Sequence, residues 1–250
     1  MIEAAWQPLR DELARWTNAN RIARFWLRDD DAVEPTAALE RLLVLREEYQ
    51  VPLTLAVIPA YVQEQLARRL AHEAGVNVAV HGWSHKNHAS ADEKKQELGP
   101  HRSLDVMSAE LGGGYRQLER LFADRFVPVL VPPWNRIDPL LLNKLPDLGF
   151  KALSVFGPPN EKFTAVVPII NAHVDLMDWH GTRGSRDHGQ LVEAIVKELQ
   201  LRFRSNDEQP IGILTHHLVH DDSAWDFLRR LFVVVAATPA GRWVSLRELL

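Results

Sequence analysis

Residues 76–88 read Val76-Asn77-Val78-Ala79-Val80-His81-Gly82-Trp83-Ser84-His85-Lys86-Asn87-His88. The first five form a short apolar run with the β-branched content and length of a buried strand. The run stops abruptly at His81-Gly82-Trp83-Ser84-His85. Two imidazoles four residues apart, just past the C-terminal end of a strand, can converge on one divalent cation. A His-rich surface loop is the other reading of this stretch.

The spacing brings to mind the H-E-x-x-H helix of zinc proteases, but Gly82 stands where the glutamate base would be, and glycine argues against a helix. A base for any metal site here has to come from elsewhere in the chain.

Working outward, strand and helix alternate about seven times. Ile2 to Asn18 reads as an amphipathic helix whose Trp6, Leu9, Leu13 and Trp16 form a packing stripe. Arg24 to Leu27 is a strand running into Arg28-Asp29-Asp30-Asp31, and a helix follows Thr36 as far as Tyr49. Leu53 to Ile58 gives the second strand, Ala60 to Glu73 a helix, and the opening stretch the third strand. His88 to Ser103 is polar and loop-like. Residues 104–124 are mostly helical, with Gly112-Gly113-Gly114 as local punctuation; they lack the lysine and serine of a phosphate loop. Val127 to Val131 is the fourth strand, followed by Pro132-Pro133-Trp134-Asn135-Arg136 and a helix near 138–147. Strands at Phe150 to Val155 and Val166 to Val174 come next, the latter ending in Asp175-Leu176-Met177-Asp178-Trp179. A helix from Gln190 to Phe203, a strand from Ile211 to Leu214 running into Thr215-His216-His217, and a helix over Ala224 to Ala236 complete the pattern, and Trp243 to Leu250 closes the chain.

Such alternation implies parallel strands joined by right-handed crossovers, in a closed barrel or a doubly wound sheet. The position of the chemistry decides between them. Asp30/Asp31, His81/His85, Trp134, Asp178 and His216 each follow a different strand, just past its C-terminal end. A β/α barrel assembles its active site there, whereas an open sheet collects its site at one switch point. The expectation is a seven-stranded barrel forming a single domain over residues 1–250.

Composition narrows the chemistry. Hydrophobic residues at 46% and charged residues at 25% of 250 describe an ordinary globular chain large enough for one sizeable core. A net charge of −4 without a basic run leaves no electrostatic footprint for nucleic acid or an acidic membrane. There are no cysteines, so a metal has to be held by His and carboxylates, which suits a catalytic rather than a structural site. The charged, amphipathic start is no signal peptide, and no stretch reaches transmembrane length, so the expected location is the cytoplasm.

Three consecutive aspartates repel one another at a strand end unless a cation or solvent relieves them. One of Asp30 and Asp31 can ligate a metal while the other takes a proton from water; Arg28, two residues before Asp30, lies on its strand face and can keep it ionised. His81, His85 and one aspartate make a trio with open positions, the pattern of a hydrolytic metal site. Trp134 is a core aromatic or a wall for a sugar ring. Asp178 and His216 fit a carboxylate that orients an imidazolium able to protonate a leaving amine, or a structural ion pair. His88, His217 and His220 carry no assigned role.

Taken in order, these motifs resemble the polysaccharide deacetylase (NodB-homology, carbohydrate esterase 4-like) family, whose fold is a distorted (β/α)7 barrel. That family shows Asp-Asp, H-[ST]-x-x-H, R-x-P-[FYW], D-x-x-D-W and L-x-H. Here they stand as Asp30-Asp31, His81 to His85, Val131-Pro132-Pro133-Trp134, Asp175 to Trp179 and Leu214-Thr215-His216. The resemblance implies Asp30 as general base, Asp31, His81 and His85 as ligands of one divalent metal (zinc, with cobalt, nickel or manganese as alternatives), and His216 as general acid oriented by Asp178. It implies hydrolysis of a carbon–nitrogen bond in an N-acetylated sugar, oligosaccharide or related small amide. Three positions depart from the pattern. Gly82 replaces Ser or Thr, as in intracellular relatives with HGW or HGY. Val131 replaces the arginine, leaving Arg28 or Arg136 to substitute. The third aspartate permits Asp29-Asp30 as the working pair, although Asp30-Asp31 is the reading adopted. A metal-independent, allantoinase-like hydrolase of cyclic amides and a non-catalytic saccharide-binding barrel are the competing readings.

Overall fold

The computed structural model describes residues 2–157 and 166–250. In chain order the elements are α1 (Ile2–Ala5), α2 (Gln7–Asn18), β1 (Ala23–Ala32), α3 (Ala37–Glu48), β2 (Leu53–Val57), α4 (Glu64–Leu70), β3 (Val76–His81) and α5 (Leu104–Phe122). They continue with β4 (Phe126–Val131), α6 (Pro139–Leu142), β5 (Ala152–Leu153), β6 (Val174–Asp175), α7 (His188–Ser205), β7 (Ile211–Thr215), α8 (Asp222–Ala236) and β8 (Gly241–Trp243). The sheet order is β5-β4-β3-β2-β1-β7-β6. This is the strand order of a distorted seven-stranded β/α barrel. The pairs β3–β4, β4–β5 and β6–β7 are parallel. The eighth strand, β8, adds to the expected seven by pairing in parallel with the first three residues of β1.

Residues cluster into two compact units, one of Met1–Arg28, Thr36–Leu53 and Ala172–Ser245, the other of Asp29–Pro35, Thr54–Asn171 and Leu246–Leu250. In the first, the aromatic stripe expected of the N-terminal helix is indeed core: Trp6, Leu9, Leu13 and Trp16 are all buried. The helix is interrupted at Trp6 because Pro8 has no N–H to bond the carbonyl four residues back. Trp6 packs on Phe227 of α8, with ring centroids 5.0 Å apart. Asp187 and Asp221 cap α7 and α8 by accepting the Gln190 and Ala224 N–H groups.

In the second unit, β2, β3 and β4 are buried along almost their whole length, as continuous apolar runs in a parallel sheet require. From Val78 to Val80 the partner strand advances from Phe126 to Leu130, so β4 bulges around Pro128, which cannot donate to a ladder. The bulge brings His81 opposite Val131. Helix α5 runs unbroken through its three glycines rather than being punctuated by them. Gly114 is needed for close approach, since a Cβ there would stand 2.8 Å from the Pro59 ring.

Four expected elements are shorter than their sequence patterns, among them the helix near 138–147, which is reduced to the four residues of α6. The helix expected over Ala60 to Glu73 is reduced to α4 because Ala60 and Gln63 donate to the distant Trp83 and Val33 carbonyls instead of to a helical ladder. The apolar run at 150–155 pairs with β4 only through Ala152 and Leu153. In the run at 166–174, Pro168 has no donor, and only Val174 and Asp175 join a ladder, with Ile169 making an isolated bridge to Leu153.

Candidate metal centre

Strand β1 continues through Arg28, Asp29 and Asp30, all buried, to Asp31 and Ala32. An extended strand would send Asp30 and Asp31 to opposite faces. Asp31, however, adopts φ 76°, a left-handed conformation uncommon outside glycine and better tolerated by aspartate than by most residues. Its Oδ1 stands 3.2 Å from His81 Nε2 and 3.5 Å from His85 Nε2. Among the described residues this is the one cluster of three His or acidic groups whose ligand atoms lie within 4.8 Å of one another.

The donor set fits a zinc-like ion. Bonds of about 2.0–2.2 Å in tetrahedral geometry separate neighbouring ligands by about 3.4 Å, which matches both Asp31–His separations. His81 is buried, and its Nδ1 lies 2.9 Å from the Val131 carbonyl oxygen. A carbonyl only accepts, so in neutral His81 the proton is on Nδ1 and the Nε2 lone pair faces Asp31 and His85, the arrangement that second-shell carbonyls impose on metal-bound imidazoles. Without a cation, burial pulls the His81 pKa down, but Asp30, Asp31 and the carbonyl bond outweigh it and leave it raised. The His85 pKa is lowered, by burial first and then by His81, against the pull of Asp31 and Glu97. One trio thus holds a proton-attracting and a proton-shedding imidazole, a tension that a shared cation relieves.

The loop that returns from His81 to His85 is built around Gly82, whose φ is +57°. A Cβ at this position would meet Glu97 Oε2 at 2.2 Å and the Pro133 ring at 2.6 and 2.7 Å. Glu97 is fully buried. Its Oε1 accepts from the Ser84 N–H at 2.6 Å and the Ser84 hydroxyl at 3.0 Å, and its Oε2 accepts from the Trp83 N–H at 3.2 Å. The stretch containing Glu97 reads as a polar loop, and nothing local marks this acid as buried. The available signal was indirect: glycine at 82, where a side chain is usual, implies that some other group fills the space.

Trp134 and Asn135 also adopt left-handed conformations, with φ 53° and 59°. This turn lays the Trp134 ring against His85 with centroids 4.3 Å apart. Arg136 donates to the Lys95 carbonyl at 2.9 Å and forms no ion pair with a carboxylate among the described residues, so it braces the 88–103 loop.

In the first unit, Asp178 and His216 are not brought together: no hydrogen bond or ion pair joins them among the described residues. The half-buried Asp178 carboxylate accepts from the Gly181 and Thr182 N–H groups at 3.0 Å each. Its pKa is held low, chiefly by the Thr182 amide. His216 instead meets the edge of Trp179, with centroids 4.7 Å apart, while its buried Nδ1 has no hydrogen-bond partner among the described residues. The Trp179 indole N–H donates to Asp175 at 2.8 Å. The reason is local. A carboxylate followed by a tight, glycine-containing turn captures the nearest amide donors.

The profile of the polysaccharide deacetylase family matches residues 24–153, just over half of the chain. The chain belongs to the polysaccharide deacetylase family. It is an enzyme of that kind. No curated protein sequence matches it. Solved structures share its fold. Peptidoglycan deacetylase PdaC from Bacillus subtilis aligns with a TM-score of 0.57 at 18% identity, covering 92% of this chain and 90% of that one. A family 4 carbohydrate esterase from Streptomyces lividans, in complex with acetate, gives 0.56 at 16%, covering 89% and 97%. A family 4 acetyl xylan esterase from Clostridium thermocellum, in complex with a cobalt ion, gives 0.54 at 17%, covering 90% and 89%. The family assignment makes the departures in this chain specific. Where the family motif carries Ser or Thr, this polysaccharide deacetylase pairs Gly82 with Glu97, and where the motif carries arginine, Val131 contributes a carbonyl to His81.

Proposed function

We propose that this family member removes the acyl group from an N-acetylated sugar or related small amide, using one divalent cation, zinc foremost, held by Asp31, His81 and His85. The observation that carries the reading is the Asp31 carboxylate at 3.2 and 3.5 Å from two Nε2 atoms, one of them fixed in its tautomer by the Val131 carbonyl. When bound, such an ion supplies a Lewis acid that polarises an acyl carbonyl and acidifies water.

The chain supplies the rest. Asp30, buried beside Asp31 in β1, takes the proton from the attacking water at its carboxylate. Arg28 is buried two residues earlier in the same strand. The resemblance to the family assigns delivery of a proton to the departing amine to His216, whose ring meets the edge of Trp179, itself bonded to Asp175. Trp134, half-buried against His85, offers a flat apolar wall to a sugar ring. The single-domain reading of 1–250 is supported by β1, which contributes residues to both compact units. No helix among the described residues is long and apolar enough to cross a membrane.

The test is release of acetate from a panel of N-acetylated amino sugars and simple N-acyl amines, measured before chelation, after it, and after zinc or cobalt is restored. Release that disappears and returns with the ion supports the reading. Release indifferent to exhaustive chelation would transfer the assignment to a metal-independent amidohydrolase.

A further inference from the structure

We propose that Glu97 is a positioning residue for the metal centre, and that Glu97 and Gly82 together set the conformation of the loop that carries His85. The proposal rests on reading Asp31, His81 and His85 as a metal centre. His81 ends a strand and is fixed by the ladder and by the Val131 carbonyl, whereas His85 lies four residues farther along a loop. Backbone conformation must therefore fix His85. That loop contains two left-handed residues, Gly82 at φ +57° and His85 at φ 54°. Such a conformation persists only where the surroundings over-determine it.

Glu97 is what over-determines it. Its carboxylate is completely buried and takes three hydrogen bonds from Trp83 and Ser84, the residues at the centre of the loop. A buried carboxylate stays in place only when its oxygens are satisfied, so the loop and the acid fix each other. The loop is held from its other side as well, by the Gly82 N–H to the Val131 carbonyl at 3.1 Å and by the Ala60 N–H to the Trp83 carbonyl at 2.9 Å. The Oε2 atom occupies the place a Cβ at residue 82 would take, so the carboxylate and a side chain at 82 exclude each other. Gly82 is the condition for Glu97.

The test uses the full chain, with Glu97→Ala and Glu97→Gln beside the wild type. Glutamine preserves the acceptor for Ser84 and presents its amide N–H₂ to the Trp83 N–H, so it tests the clamp without opening a cavity and serves if alanine does not fold. Cobalt is titrated in, and both the affinity and the visible absorption spectrum are recorded. Removing a residue that supports metal ligands costs about 10–100-fold in affinity. Glu97→Gln is expected near the lower figure and Glu97→Ala near the upper, with an altered cobalt spectrum and about one ion still bound at saturation. Folded variants with wild-type affinity and spectrum would overturn the proposal. If wild-type protein itself takes up no cobalt, the metal-centre reading fails and the positioning role falls with it. The clamp is then judged separately by amide hydrogen exchange at Trp83 and Ser84 in the metal-free protein: faster exchange in both variants upholds it, and unchanged exchange removes it.

Discussion

Placing serine at residue 82, as the family motif has it, should damage this protein. The backbone there has φ +57°, which costs a non-glycine residue about 1–2 kcal/mol. The new Cβ would stand 2.2 Å from Glu97 Oε2 and 2.6 Å from Pro133 Cγ, distances that require both neighbours to move. Neither moves easily, because Glu97 is buried with its oxygens engaged and Pro133 is a buried ring. Overpacking of this kind costs about 1–3 kcal/mol. Together the two terms give a loss of about 2–5 kcal/mol, or roughly 4–20 °C in Tm for a chain of this size. The assay is equilibrium urea unfolding of Gly82→Ser in chelator, so that ion binding does not enter. Repeating it in a Glu97→Ala background separates the terms. The part due to Glu97 should vanish there, giving a coupling of about 0.5–3 kcal/mol, while the backbone and Pro133 parts remain. A Gly82→Ser variant within about 0.5 kcal/mol of wild type, the range of an ordinary surface change, would refute the packing argument.

Asp30→Asn should keep the bound ion but lower the rate of acyl release by roughly 10²–10⁴-fold, the range for loss of a general base; ion content and kcat measured on one preparation check it. His173 is half-buried beside Arg202, and burial first, then that guanidinium, push its pKa down to about 3. Below about pH 6.5 the unfolded chain binds a proton here that the folded chain refuses until about pH 3, so stability falls with falling pH across that window, by up to about 1.4 kcal/mol per pH unit. Urea unfolding of His173→Gln between pH 6 and 4 should show a flatter dependence than wild type, and parallel curves would contradict the assignment. Asp178→Ala removes the acceptor for the Gly181 and Thr182 amides, so trypsin should cut after Arg183 faster than in wild type; equal cleavage rates would show that the turn does not depend on that carboxylate.

Much of the fold is legible because buried parallel strands are written as apolar runs. Leu53–Val57, Val76–His81 and Ile211–Thr215 all stand where their sequence pattern puts them. The same rule overstates β5 and β6, since an apolar run reports burial and not pairing, and Pro168 denies the ladder a donor. Strand β1 runs farther than its apolar residues, because Arg28, Asp29 and Asp30 are buried charges that a composition pattern assigns to solvent. In the site, His81, His85 and one of Asp30 and Asp31 could be picked out from strand ends and residue types, while the choice of Asp31 came from the family resemblance, because its left-handed turn leaves no mark in the sequence. Glu97, the Arg136 bond to Lys95 and the turn that captures Asp178 could not be. In each case the partner is chosen by tertiary placement or by the nearest amide, and a side chain's type does not disclose which.

The central claim is that Asp31, His81 and His85 hold one divalent ion, and its most direct test is elemental analysis of wild type beside Asp31→Ala, purified without a His tag and incubated with zinc or cobalt. The account predicts about one ion per chain in the wild type, as a three-ligand site requires, and its loss in the variant. No ion in the wild type, or the same content in Asp31→Ala, would contradict it.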